Sequence, residues 1–136
     1  MKKILILILS IVATTALRAD RFRVGDLCFN VTSSSRPYTV EVSTNCYSFS
    51  ERYSGLVSII IPETITYNGI TYSVTGISEF AFNNCSSLVS VTIPNSVTSI
   101  GGAAFYGCSS LRSVSVPSHT KIGKESFQTT CKIIRK

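Results

Sequence analysis

The chain has 136 residues, with 13 basic and 7 acidic side chains for a formal net charge of +6, a single histidine and no tryptophan. Lys2, Lys3 and Arg18 in the first 19 residues account for half of that excess, and the remaining basic side chains form no continuous stripe, which argues against a nucleic-acid partner. The length suits one domain, and a hydrophobic content of 44% is enough to build a core.

Lys2 and Lys3 are followed by an apolar run from Ile4 to Val12 and then by small residues, which is the pattern of a secretory signal peptide. A cut after Ala19, with Leu17 and Ala19 at the small-residue positions, fits best, and a cut after Ala16 is the alternative. The apolar run is well short of the roughly 18 to 20 residues that a membrane span needs. Residues 1–19 are therefore expected to leave on export, together with Lys2, Lys3 and Arg18. The exported chain then has a charge of +3 and no membrane span, and is expected at the cell surface, in the periplasm or outside the cell.

Residues 20–55 show short β-patterned runs at Phe22 to Val24, Leu27 to Val31 and Tyr38 to Val42, separated by turn signals at Gly25-Asp26 and Thr32 to Pro37. This stretch is expected to be a β-rich N-terminal cap, because a repeat array must cover the open end of its core.

The array occupies residues 56–136. Val74 to Pro94 and Val97 to Pro117 are copies of one 21-residue unit, offset by 23 residues and identical at 12 positions. The shared residues include Val74, Ile77, Ala81, Phe82, Cys85, Leu88, Val91 and Pro94. A fixed period of this size signals a repeat architecture whose copies bury their apolar side by stacking on one another. Leu56 to Pro62 is half of an earlier copy, and Ile122, Phe127 and Cys131 begin a later one, so the sequence counts three coils at most. Within a copy, Leu111, Val114 and Val116 have strand spacing, and Ala104 to Ser109 is a tight turn that one helical turn would satisfy. Residues 63–76 are inserted relative to the other copies, and Asn68-Gly69 between β-forming runs predicts a hairpin projecting from the array.

The run Cys-x-x-Leu-x-x-Val-x-Ile-Pro-x-x-Val-x-x-Ile-x-x-x-Ala-Phe-x-x-Cys resembles the BspA-type leucine-rich repeat of bacterial surface proteins, over Leu56 to Cys131. With its signal peptide and strand-rich leader, the chain is similar to short exported members from Bacteroidetes. The resemblance implies a right-handed leucine-rich-repeat solenoid and a role in protein binding or adhesion at the cell surface.

Chemistry-bearing residues are few. Cys85, Cys108 and Cys131 recur every 23 residues and are expected as a column of buried thiols, with no neighbouring His or carboxylate to complete a metal site. Cys28 and Cys46 lie in the leader, where export permits a disulfide, although spacing alone does not place their Cβ atoms. His119 stands beside Pro117 in a turn with no acid or nucleophile tied to it by a motif, and Gly101-Gly102 lacks the lysine of a phosphate loop. The Asn30 and Asn84 sequons are read as accidental, and the basic residues Lys121, Lys124, Lys132, Arg135 and Lys136 as a solubilising end. No catalytic, cofactor-binding or metal-binding residue is expected, and the chain is read as a non-enzymatic binding protein.

What remains is surface. Alternation along the strands turns Ser58 and Ile60, Ser90 and Thr92, and Ser113 and Ser115 outward, and Val89 and Arg112 precede them. These residues form one candidate face for a protein or glycan ligand, and Tyr67 and Tyr72 on the hairpin form a rival one. Two alternatives stand beside these readings. The chain is a structural element that self-associates through the C-terminal coil at Ile133 and Ile134, or it is part of a longer adhesin.

Overall fold

The computed structural model describes residues 21–44 and 53–136. The expected signal peptide and Cys46 lie outside them. Strands β1 (Arg21–Val24) and β2 (Leu27–Ser33) form an antiparallel hairpin, and β2 pairs antiparallel with β3 (Thr39–Ser43), which lies just beyond a cis Arg36-Pro37 bond.

From β3 onward the pairing turns parallel. β3, β6 (Ile70–Ile77), β8 (Ser99–Ile100) and β10 (Lys121–Ile122) are the rungs of one ladder, with β5 (Thr64–Tyr67) alongside β6. β4 (Ser58–Ile60), β7 (Ser90–Thr92), β9 (Ser113–Val116) and β11 (Lys132–Arg135) are the rungs of a second ladder. Each circuit of the chain supplies one strand to each ladder. Among the described residues four coils are therefore stacked, where the sequence counts three.

The additional coil is the one from β3 to β4, and the boundary drawn after residue 55 falls inside it. Tyr53 there does the work of the repeat phenylalanine. Its ring lies 4.8 Å from Phe82, which is 5.1 Å from Phe105, which is 5.0 Å from Phe127. One aromatic ring per coil makes a continuous stack, with a spacing close to the roughly 4.8 Å between rungs. The coil is hard to see in the sequence because its turn is short. Tyr53 to Ser58 spans five residues, against eight from Phe82 to Ser90 and from Phe105 to Ser113.

The turns between the ladders are not helical, contrary to expectation. The N–H groups of Ala81, Cys85 and Leu88 bond three residues back, to Ser78, Phe82 and Cys85. Those of Phe80, Phe82 and Asn84 instead reach the carbonyls of Gly102, Ala104 and Tyr106 in the next coil. Amides committed between coils cannot close a helix, so the backbone runs as linked tight turns. Phe80, Ala103 and Glu125 take positive φ values of 59°, 55° and 55° at the same place in successive coils. The single helical piece among the described residues is the 3-10 turn Tyr53–Gly55.

The insert forms the hairpin its Asn-Gly signal predicts, with φ of 51° at Asn68 and 77° at Gly69 between β5 and β6. It does not project. The second half of β6 is a full rung, hydrogen-bonded to β3 on one side and β8 on the other. The rest of the hairpin folds over Phe22, whose ring stacks on Tyr67 at a centroid distance of 4.0 Å and lies 5.7 Å from Tyr72. Burying that aromatic surface outweighs leaving two tyrosines in water.

The core runs the length of the stack. Val40, Val74, Val97, Leu88 and Leu111 are buried, and Thr120 stands where the preceding coils have Val74 and Val97. Its hydroxyl donates to the Val97 carbonyl at 2.7 Å, which satisfies the one polar group this substitution brings inside.

Candidate functional site

The second ladder has one inward and one outward side. Ile59, Val91 and Val114 point into the core, so the residues flanking them must face solvent. Register then sets the exposed residues in columns. Ile60 pairs with Thr92, Thr92 with Ser115, and Ser115 with Ile134. Ser58 pairs with Ser90, and Ser113 with Lys132. All of Ser58, Ile60, Val89, Ser90, Thr92, Arg112, Ser113 and Ser115 are exposed, so the structure brings this candidate set together on one surface. Ser90 donates to Ser58 across the ladder at 3.0 Å.

Three members of the face escaped the sequence reading. Val57 accepts the Val89 N–H at 2.7 Å and lies beside it, 56% exposed. The match of Leu56 to Pro62 with Leu88 to Pro94 already sets Val57 at the place of Val89, so the signal was present in the repeat. Lys132 and Ile134 join the columns because Phe127 to Lys132 spans only five residues, a contraction that the 23-residue spacing of the cysteines conceals. Val57, Ile60 and Val89, at 56%, 73% and 55% exposure, group at the β4 end of the face, Ile134 stands at the other end at 44%, and Ile60 is the most exposed large apolar side chain described.

The hairpin tyrosines separate. Tyr72 is 8% exposed and belongs to the core, so it is withdrawn as a surface anchor, while Tyr67 keeps 36% exposure with one face covered by Phe22.

Cys85, Cys108 and Cys131 are buried reduced thiols. Cys108 donates to the Phe82 carbonyl at 3.1 Å, and its hydrogen bond with Cys85, with burial, holds the thiol well above its usual range. Burial and the neighbouring Cys108 push Cys131 up as well. The column is not strict. The short last turn places Cys131 directly before β11, where its N–H bonds three residues back to Gln128, as those of Leu88 and Leu111 do to Cys85 and Cys108. Thiols held protonated and out of solvent are poor nucleophiles. Cys28 is disulfide-bonded.

His119 is exposed, and its Nε2 donates to the Asn95 carbonyl at 2.8 Å, which ties two turns together. Among the described residues, no group of three or more His, Cys, Asp or Glu is placed to hold a metal ion. No helix described is long and apolar enough to cross a membrane.

Two parallel ladders, an aromatic stack and inward leucines define a leucine-rich-repeat fold. The chain belongs to the family described as BspA type Leucine rich repeat region (6 copies), whose model matches residues 23–135. Solved structures agree. A leucine rich cell surface protein from Faecalibacterium prausnitzii superposes with a TM-score of 0.66 at 29% identity, over 84% of this chain and 30% of that one. A leucine-rich repeat protein from Bacteroides ovatus gives a TM-score of 0.55 at 30% identity, over 82% and 33%. A third, from Bacteroides capillosus, has a TM-score of 0.58 at 21% identity, over 86% and 99%, and supports the fold alone. The chain thus spans about a third of the length of the first two relatives. A comparison with curated protein sequences finds no match.

Proposed function

We propose that this is an exported, non-enzymatic repeat protein that binds a protein ligand at the cell surface through the outward face of the second ladder. The observation that carries the reading is the grouping of Val57, Ile60 and Val89 at one end of a face whose other members are serine and threonine hydroxyls, Arg112, Lys132 and Ile134. Exposed apolar side chains that adjoin hydroxyls and a guanidinium combine the two kinds of surface, apolar and polar, from which protein interfaces are built. The relative from F. prausnitzii is called a cell surface protein, which supports the same location here. In this reading β1 and β2 cap the first coil of a right-handed solenoid and leave the strand face open.

The test is a binding screen of the exported chain against immobilised host matrix proteins, repeated with Ser90→Arg combined with Ser113→Arg. Both serines are exposed, so the melting temperature is expected to hold while binding disappears. Undiminished binding by the double variant overturns the assignment to this face.

A second reading, self-association through the last coil, is favoured by the 39% and 44% exposure of Ile133 and Ile134 on β11, which is paired on one side only among the described residues. It predicts sedimentation coefficients that rise with concentration and stop rising in Ile134→Lys. A wild-type monomer at every concentration removes it.

A further inference from the structure

On the turns of the third and fourth coils, away from both ladders, a shallow cavity of about 320 Å³ is lined by Tyr106, Glu125, Phe127, Gln128, Thr129 and Thr130. Tyr106 is 48% exposed, yet its backbone is held at both ends. Its N–H bonds the Ala103 carbonyl at 3.2 Å, and its own carbonyl accepts the Asn84 N–H at 2.7 Å. The same place in the coils on either side is occupied by Asn83 and Gln128, so the tyrosine is the one aromatic in a band of amides. Phe127, nearly buried at the end of the aromatic stack, forms part of the lining.

The polar groups around that ring are uncommitted. Glu125, Gln128, Thr129 and Thr130 make no side-chain hydrogen bond or ion pair with any described residue. Glu125 is exposed and is carried on the turn position, with φ of 55°, that Phe80 and Ala103 hold in the two preceding coils. No basic side chain lines the cavity.

We propose that this cavity binds a neutral saccharide unit. A pyranose ring presents a flat patch of C–H groups on one side and a rim of hydroxyls, each both donor and acceptor. The Tyr106 ring matches the first. The Glu125 carboxylate accepts from a pair of neighbouring hydroxyls, the Gln128 amide both gives and accepts, and the threonine hydroxyls do either. A small number of polar groups around an apolar surface is what fixes the orientation of a small ligand. The carboxylate, with no cation in the lining, disfavours acidic sugars by like-charge repulsion. This site is separate from the ladder face and stands or falls independently of it.

The experiment is saturation-transfer NMR on the exported chain with the methyl glycosides of glucose, galactose, mannose and N-acetylglucosamine, and with N-acetylneuraminic acid as the charged comparison. Transfer to the C–H protons of at least one neutral glycoside, and none to the acid, is expected. Tyr106→Ala should weaken that signal tenfold or more, Tyr106→Trp should keep it, and Glu125→Gln should reduce it several-fold. Ser90→Arg with Ser113→Arg should leave it unchanged. Three results overturn the proposal: no transfer to any neutral glycoside, equal transfer to the acidic sugar, or a signal retained in both Tyr106→Ala and Glu125→Gln.

Discussion

The Tyr53 hydroxyl accepts the backbone N–H of Cys28 at 2.9 Å, although the two residues are 25 apart in sequence, and its one proton is shared between the carbonyls of Ser43 and Thr44, each at 2.8 Å. One oxygen thus ties the first coil to β2, while its ring begins the aromatic stack. Burial pushes the phenol up to about 12, against a lowering from the Cys28 N–H. Tyr53→Phe keeps the ring and strands a buried N–H, so a loss of about 1–3 kcal/mol is expected in urea unfolding. The pH dependence has a definite sign. The folded phenol loses its proton later than the unfolded one, so its contribution is complete below about pH 10 and is lost as the pH rises towards 12. A shift of about two units corresponds to about 2–3 kcal/mol, and the stability gap between wild type and Tyr53→Phe should narrow by that order across this window. A gap that stays constant from pH 9 to 12 contradicts this role for the hydroxyl.

Phe105 is stacked on both faces, 5.1 Å from Phe82 and 5.0 Å from Phe127. Phe105→Ala opens a cavity between two rigid coils and is expected to cost about 3–5 kcal/mol. Phe127→Ala, at the end of the stack, should cost less. Equilibrium unfolding of the two variants checks the order.

Gly101 and Gly102 are adjacent and unequal. A Cβ on Gly101 would lie 2.8 Å from the Ser78 carbonyl carbon and run into the Glu79 backbone, which no rotamer relieves. On Gly102 the nearest atom is the Lys124 carbonyl oxygen at 3.3 Å. Gly101→Ala should therefore destabilise by about 1–3 kcal/mol, and Gly102→Ala by clearly less. Comparable melting temperatures for the two would contradict this packing.

The thiols of Cys85, Cys108 and Cys131 should react with an aromatic disulfide reagent at pH 8 far more slowly in the folded chain than in denaturant, because each is buried. For Cys108 and Cys131 the thiolate is also disfavoured. Rapid modification of any of the three in the folded chain would place it at the surface.

Residues that repeat announce themselves, and the repeat therefore revealed the fold. Phe82 and Phe105, Leu88 and Leu111, and Val74 and Val97 could be read inward because stacking makes the same demand in each coil. The first coil was hidden because Tyr53 differs from the repeat phenylalanine and its turn is three residues shorter than those of the inner coils. The hairpin was correctly seen as a hairpin and wrongly placed, since Asn68-Gly69 reports local backbone twist and says nothing of Phe22, which is distant in sequence and covers Tyr67. The outward columns came from strand alternation, whereas the cavity at Tyr106 did not. It is assembled from two turns whose residues differ between coils, and no period marks such a place.

The first ladder also narrows. β3 and β6 are five and eight residues long, whereas β8 and β10 have two each. With fewer bonds per rung beyond β6, spontaneous opening has a preferred direction, entering from the side of β10 and stopping at β6, which is braced by β3, β5 and β8. The stack is thus a zipper with one secured end. In hydrogen exchange, the amides shared by β3 and β6 should report the whole molecule's stability, while those of β8 and β10 should report a smaller and faster event.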